Sequence, residues 1–322
     1  MTIRIRLGTA DLGRVRFGIS PLYETVRCLR VLENPGEHAI HLPWVRWAGR
    51  RGPTGPDVTL LRRLVTGAAV PVGLVPPPDS HMPSLAHELR RVRQANPDRV
   101  RMSLDMIFGA RPWLSETYAD PTTVLTRLAE VIDQVYRELI EPHWPRMRVI
   151  LEADIEHRAR ILAASGVETV ISGLHPDVAW DDGDVLVWPN DSDLSEEVTT
   201  AGAGLILAPT VFGWPRCTST ARPTGAAPVR YPARGIGTLW ERRAQRPVAA
   251  LAELLGSTRA QILLALAELR DTPSLAAQLG VTAGAVSQHL RVLRDAGLVR
   301  TQRTGRTAVH LRTAKADELV RD

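Results

Sequence analysis

The chain has 322 residues, 44% of them hydrophobic and 23% charged, with a formal net charge of +5. Fractions of this size are typical of folded globular domains and argue against disordered or fibrous chains. The sequence has no apolar window long enough for a membrane span, and its start, MTIRIRLGTADLGRVR, lacks the apolar core of a secretory signal. We therefore expect a cytoplasmic protein.

Helical patterns dominate the first 166 residues, after a short opening strand. The alternating run IRIRL at 3–7 predicts that strand. In the segment that follows, Ser20 is placed to cap a helix that Pro21 opens and that the Pro-Gly pair at 35–36 ends. The later helical patterns lie at 57–67, 83–95, 121–140 and 145–166.

Beyond residue 166 the sequence changes to short strand-like segments separated by Asp, Gly and Pro. They are DVLVW at 184–188, GLILAP at 204–209 and VRYP at 229–232. CTSTARPTGAAPV at 217–229 predicts an exposed loop, and helical patterns return near residue 234. This change predicts two domains, 1–240 and 241–322, in an α+β, mostly helical fold.

Two helices joined by a tight turn are predicted in the last domain, after the helical segments VAALAELLG and STRAQILLALAEL, the latter capped by Ser257 or Thr258. PSLAAQLG at 273–280 opens with Pro and ends at Gly280. The next helix begins after Thr282, a good cap, and runs to Gly297. This spacing is typical of a helix-turn-helix.

The second of these helices has one apolar face and one polar face. Val286, Leu290 and Leu293 recur at helical spacing and are expected to face the core. Gln and Arg side chains can bond adenine and guanine edges, and Ala can contact a thymine methyl group. We therefore predict DNA contacts from Thr282, Ala283, Ser287, Gln288, His289, Arg291 and Arg294.

A β-hairpin wing is predicted in LVRTQRTGRTAVHLR, with Gly305 in its turn and Arg303 and Arg306 at its tip, where they can contact phosphate or the minor groove. From Trp240 onward the chain has 13 Lys and Arg against 8 Asp and Glu, whereas the preceding residues have 27 of each. The whole net charge therefore belongs to this small domain, which is typical of a polyanion-binding surface.

The segments RAQILLALAE, SLAAQLGVTAGAVSQHLRVLRDAGLV and RTGRTAVHL resemble the winged helix of ArsR-type bacterial transcriptional regulators. GISPLYETVRCLRVL, LVPPP, EPHWPRMRVILEADIEHRARILAASG, LHPDVAW and PTVFGWPRC with YPARG resemble the long N-terminal region of an actinobacterial group of such regulators. The resemblance implies a homodimer that represses by covering a promoter and releases DNA when an effector binds. It implies no activity for the N-terminal region.

Metal sensing, a frequent property of that family, is not expected here. The helix PSLAAQLG has no Cys or His, and the tail has Asp317 and Glu318 without a histidine. In EADIEHR, Asp154, His157 and Arg158 lie on one helical face, where metal or catalytic use would need a further partner such as His175 or His143. We expect a helix-surface or interdomain ion pair there instead. We predict no metal and no cofactor, and expect the thiols of Cys28 and Cys217 to be packing residues.

Of the eight tryptophans, the seven at 44, 47, 113, 144, 180, 188 and 214 lie in the N-terminal region. Tryptophan suits an apolar pocket, since indole combines a large apolar surface with one donor. We name Trp44, Trp47, Trp144 and Trp214 as candidate effector contacts, with core packing as the alternative for each. No nucleotide-binding, nucleophile-elbow or zinc-protease motif occurs in the sequence. We therefore predict that the chain is not an enzyme.

Two functions fit these patterns. The first is a nucleoid-associated, sequence-specific regulator of transcription, a homodimeric repressor on an inverted-repeat operator that a small organic effector releases. The alternative is an architectural or partner-recruiting protein whose winged helix binds double-stranded DNA with little sequence preference. A membrane partner is not expected in either case.

Overall fold

The structure, a computed structural model, describes residues 2–67, 69–187, 195–219, 225–240, 247–267, 270–304 and 307–320. The chain divides into two compact units, Met1–Trp240 and Glu241–Asp322. The fold class is α+β and mostly helical. Within the described ranges, no helix combines the length and apolar character that a membrane crossing needs.

The N-terminal unit contains nine described helices. They are α1 (Thr9–Leu12), α2 (Pro21–Glu33), α3 (Leu42–Ala48), α4 (Pro56–Val65), α5 (Leu85–Arg93), α6 (Pro97–Phe108), α7 (Ser115–Ala119), α8 (Pro121–Val135) and α9 (Trp144–Ser172). Ser20 caps α2 as expected, since its side chain accepts a hydrogen bond from the Tyr23 N–H at 3.0 Å. A single turn of π-helix, Tyr136–Ile140, continues α8.

Segment α9 consists of two helices that meet at Gly166. The sequence predicts the end of the first helix at this glycine, and its φ of +81° does interrupt the helical geometry there; the second helix, which ends at Ser172, was not predicted. Helices α1, α3, α6 and α7 were not predicted from the sequence. The helices of the N-terminal unit enclose a large apolar core that includes Leu22, Leu61 and Leu128.

Two sheets complete the N-terminal unit. Their strands are β1 (Thr2–Arg6), β2 (Arg16–Phe17), β3 (Val178–Asp181), β4 (Asp184–Val187), β5 (Ser195–Thr199), β6 (Leu205–Thr210), β7 (Thr218–Ser219) and β8 (Ala227–Pro232). One sheet has the order β3-β4-β1-β5 and the other β2-β6-β8-β7. In the second sheet, β2, β6 and β8 run parallel, and β6 is buried along its whole length. Because both of its faces are covered, β6 shows a continuous apolar run instead of alternation.

The C-terminal unit has five helices and three strands among its described residues. They are α10 (Pro247–Leu255), α11 (Ser257–Ala265), β9 (Arg270–Asp271), α12 (Thr272–Leu279), α13 (Ala283–Asp295), β10 (Val299–Thr304), β11 (Thr307–Arg312) and α14 (Ala314–Val320). Strands β10 and β11 form an antiparallel hairpin, and β9 pairs with the outer side of β11. The expected cap of α11 was wrong, because Gly256 occupies the capping position and supplies no side chain.

Candidate functional site

The turn between α12 and α13 is set by one glycine and one threonine. Gly280 ends α12 in the left-handed conformation, with φ +65° and ψ +31°, where a side chain would introduce strain. The Val281 N–H bonds the Ala276 carbonyl at 3.2 Å. Thr282 then caps α13, because its Oγ1 accepts from the Ala285 N–H at 3.2 Å. The two helices are thus joined by a turn of three residues, 280–282.

Helix α13 separates its apolar and polar residues onto two faces. Val286, Leu290 and Leu293 are at most 2% exposed and belong to the core of this unit, as the spacing predicts. The residues predicted to contact DNA lie away from that core: Thr282, Ala283, Ser287, Gln288, Arg291 and Arg294 are exposed, and His289 is half-buried. The apolar face holds the helix in place while the polar face remains open to a partner.

One of these polar groups is already engaged within the helix. The Ser287 hydroxyl donates to the Ala283 carbonyl at 2.9 Å, so its oxygen keeps lone pairs that can accept from a base amino group. Arg294 Nη1 lies 3.5 Å from Thr301 Oγ1 on β10, a long contact that joins the helix to the wing. In the wing, the Arg303 backbone pairs with Ala308, whereas Gly305 and Arg306 lie outside the described residues.

Comparison with family models fits this geometry. Residues 256–301, from the cap of α11 into β10, match the arsR family of bacterial regulatory proteins. The C-terminal unit is an ArsR-family helix-turn-helix domain. Residues 109–237 match DUF5937, a family of unknown function. No curated protein and no solved structure matches the chain.

The ArsR-family domain indicates a DNA-binding regulator of transcription, a class that is generally not enzymatic. Its match covers the helix-turn-helix but stops at Thr301, before the wing hairpin turns. The N-terminal match, to a family of unknown function, assigns no chemistry to that unit.

Two places where metal was considered are occupied by other interactions. Asp317 lies 2.9 Å from Arg312 Nε, and Asp154 lies 3.0 Å from Arg158 Nε. The second pair is an ion pair, but it is buried inside the unit, at 2% and 4% exposure, and not at a helix surface as expected. Across the described ranges no group of three or more His, Cys, Asp or Glu residues is arranged to hold a metal ion.

The tryptophans named as candidate effector contacts pack against other aromatic rings. The Trp44 ring is 1% exposed, packs 4.5 Å from Phe212, and donates to the Leu139 carbonyl at 3.3 Å. Trp47 packs against His143, and Trp144 against Tyr136. Trp44 therefore fills the core, and the effector role of all four remains a prediction.

A cluster of histidine and tryptophan rings joins two of these residues to the end of the N-terminal unit. We define the His-Trp cluster as His38, His41, Trp44, Phe212, Trp214 and Trp240. Trp240 Nε1 donates to His41 Nδ1 at 2.8 Å, and His38 Nδ1 lies 2.6 Å from the Trp214 carbonyl. Burial lowers the pKa of His41 to about 3, so its ring is neutral and can accept that bond.

A set of buried carboxyl contacts beside the start of α2 was not predicted from the sequence. Both Glu24 oxygens accept backbone N–H bonds at 2.9 Å, from Val211 and Phe212, and Ser20 Oγ donates to Glu88 at 2.6 Å. Burial raises the pKa of both glutamates to about 7. These carboxyl groups hold α2 against the sheet and against α5, and no motif in the sequence predicts these contacts.

Proposed function

We propose that the chain is a sequence-specific transcriptional repressor that binds an inverted-repeat operator as a homodimer in the cytoplasm, associated with the nucleoid, and that a small organic effector releases it. The observation that carries the proposal is the exposed polar face of α13, with Ser287 and Gln288 near its N-terminal half. In helix-turn-helix proteins this part of the second helix reaches base edges in the major groove.

Homodimerisation is supported by an exposed apolar pair. Leu254 on α10 is 71% exposed and Leu319 on α14 is 44% exposed, and these two helices pack together. A second copy of the chain covering this surface would bury both leucines, as expected of a two-fold interface. Two recognition helices would then lie about 34 Å apart, which requires half-sites one helical turn apart.

Effector release is supported by where the His-Trp cluster lies in the chain. Trp240, the last residue of the N-terminal unit, bonds His41, and Trp214 is half-buried in the same cluster. A small aromatic molecule that displaced one of these rings would act at the point where the chain continues toward the DNA-binding domain. Release of DNA with a change in tryptophan fluorescence, both abolished by Trp214→Leu, tests this part.

DNA recognition is tested by binding to a labelled fragment of the protein's own upstream region and to a scrambled duplex across a salt series. A preference of about 10³ or more with a steep salt slope is expected. Gln288→Ala or Ser287→Ala should lower the specific preference by about 1–3 kcal/mol, whereas Arg303→Ala should weaken binding to all duplexes alike. Gln261→Ala, an exposed glutamine on α11, is the matched control.

The outcomes separate the two functions. If the Gln288 and Ser287 variants weaken every duplex equally, base recognition by this face is wrong and the architectural function is favoured.

The dimer is tested by sedimentation. Leu254→Glu should convert the dimer to a monomer, whereas Met106→Glu should not, although Met106 is also an exposed apolar residue, at 49% exposure. A footprint on a single or tandem half-site would contradict the inverted repeat.

A further inference from the structure

A buried histidine lies between the wing and the helix-turn-helix. His310, in the middle of β11, is 4% exposed and is the one buried polar side chain in the described part of the C-terminal unit. Its Nδ1 lies 2.9 Å from Thr301 Oγ1 on β10, and its Nε2 lies 3.0 Å from Thr272 Oγ1, at the first residue of α12. The ring therefore connects the wing hairpin to the first helix of the DNA-binding motif.

The hydrogen bonds around this ring form a chain with a consistent direction. Arg294 can only donate, so Thr301 Oγ1 accepts from it. In the Nε2–H tautomer, which fits this direction, the Thr301 hydroxyl donates to His310 Nδ1 and the Nε2–H donates to Thr272 Oγ1. A neutral imidazole, with one donor and one acceptor, satisfies this arrangement, and each bond polarises the next.

The charges around the ring favour its neutral form. Burial lowers the pKa of His310, and the positive charge of Arg294 on α13 acts in the same direction, while Asp271 ahead of α12 opposes it. Arg270 on β9 lies beside His310 in the strand register. A protonated ring would have two donors, so Thr301 would have to accept from both His310 and Arg294.

We propose that His310 is a positioning residue that holds the wing hairpin at a fixed place against α12 and α13, so that wing and recognition helix meet one DNA duplex together. This rests on the proposed DNA-binding function, because the predicted contacts Arg294 and Arg303 belong to the two elements that the ring connects. Thr272 and Thr301 are its partners in that role.

The first test does not require DNA. Amide hydrogen exchange of the full chain is compared for wild type, His310→Phe, which keeps a ring without hydrogen bonds, and His310→Gln, which keeps a donor and an acceptor. His310→Phe should speed exchange in peptides covering 299–304 and 307–312 by about 10-fold, which is the effect expected when one or two hydrogen bonds are lost. Peptides within 283–295 should change less, and His310→Gln should restore part of the protection.

Milder variants cover the case in which the Phe substitution unfolds the whole unit. Thr272→Val removes one hydroxyl and should speed exchange of the same wing peptides. Thr313→Val is the control, because it removes a 2.8 Å bond to the Gly297 carbonyl and a 3.3 Å bond from the Ala316 N–H, both outside the His310 network. Equal wing protection in wild type, His310→Phe and Thr272→Val would overturn the proposal, as would equal loss in the Thr313 variant.

The second test is a double-mutant cycle on DNA affinity. His310→Phe should weaken binding by about 10-fold in the wild-type chain and by clearly less in an Arg303→Ala background, because the wing contact is then already missing. Equal losses in both backgrounds would show that His310 does not act through the wing. If no duplex is bound at all, the proposed function fails, while the exchange measurement still decides the role of His310.

Discussion

The two units of this chain differ in whether they bury charged side chains. The N-terminal unit buries Glu24, Arg27, Glu88, Asp154, Arg158 and Arg230, each at most 5% exposed. Among the described residues of the C-terminal unit, the buried polar set consists of His310 alone. One unit is held together by specific polar pairs within an apolar core, and the other by apolar contacts with its charges outside.

This difference separates what a sequence pattern can predict from what it cannot. An apolar core that excludes charge leaves a regular stripe of hydrophobic residues, so the faces of α13 follow from spacing alone. A buried carboxylate pairs with groups that the fold brings to it. Glu24 bonds Val211 and Phe212, nearly two hundred residues away, and no local pattern encodes that contact.

The largest expected effect comes from breaking the buried pair on α9. Asp154 accepts from Arg158 Nε and from the Arg234 N–H, both at 3.0 Å. Asp154→Ala leaves the guanidinium buried without its counter-charge and should lower the free energy of unfolding by about 3–5 kcal/mol. Urea unfolding followed by tryptophan fluorescence measures this unit alone, because all eight tryptophans lie within residues 1–240.

The control for that prediction is on the same helix. Arg160 and Glu156 form an ion pair at the same spacing, but their side chains are 71% and 68% exposed. Exposed pairs of this kind contribute little because water and salt screen them. Glu156→Ala should therefore leave the unfolding curve almost unchanged, and an equal loss in both variants would refute the assigned importance of burial.

In the C-terminal unit the comparable effect should come from an apolar side chain. Leu290 on α13 is 2% exposed, whereas Val292, two residues further, is 38% exposed. Leu290→Ala should cost about 2–5 kcal/mol through lost burial and the cavity left behind. Val292→Ala should cost far less. Global amide exchange of residues 247–320 measures both, and similar losses would show that the two faces of α13 are not distinct.

Local signals explain which elements were predicted. Ser20 and Thr282 cap their helices as expected, because a side chain bonding a backbone N–H a few residues away is a local interaction. Helix α6 was missed although Asn96 caps it and Pro97 opens it. Its exposed Met102 and Met106, at 53% and 49%, place apolar residues away from its buried face and blur the periodicity.

Only those parts of the candidate site that depend on residues close together in the sequence could be predicted. The exposed face of α13 follows from its apolar stripe, but the His310 network depends on Thr272 and Thr301 meeting across three elements. The expectation for Asp154 and Arg158 was right about the pair and wrong about its burial, since spacing along a helix does not show what packs over it. In the same way, eight tryptophans predicted apolar packing without showing that Trp240 ends in the His-Trp cluster.

A smaller effect should distinguish the units by the sign of their pH dependence. Burial raises the pKa of Glu24 from 4.5 to about 7, so its contribution to stability is present below pH 4.5 and lost as the pH rises through about 7. Burial lowers the pKa of His310 from 6.5, so its contribution is present above pH 6.5 and lost as the pH falls.

The measurement is a difference between wild type and variant in each unit. From about pH 5 to about pH 8, the stability advantage of wild type over Glu24→Gln should shrink, and that of wild type over His310→Phe should grow. Tryptophan fluorescence follows the first and amide exchange of 299–312 the second. If both stability differences changed with pH in the same direction, the two buried groups would not have pKa values shifted in opposite directions, and this contrast between the units would be wrong.

The smallest expected effect concerns the start of the recognition helix. Thr282 accepts the Ala285 N–H at 3.2 Å, so Thr282→Ala should cost about 1 kcal/mol and fray the first turn of α13. Ser257 begins α11 behind Gly256, where no side chain caps the helix, so Ser257→Ala should be nearly neutral. In the proposed function the residues from Ala283 to Ser287 contact bases, so the Thr282 variant should lose more affinity for operator DNA than for a scrambled duplex. An equal loss on both duplexes would mean that Thr282 stabilises the fold without ordering the reading face, and it would move sequence recognition to the C-terminal half of α13.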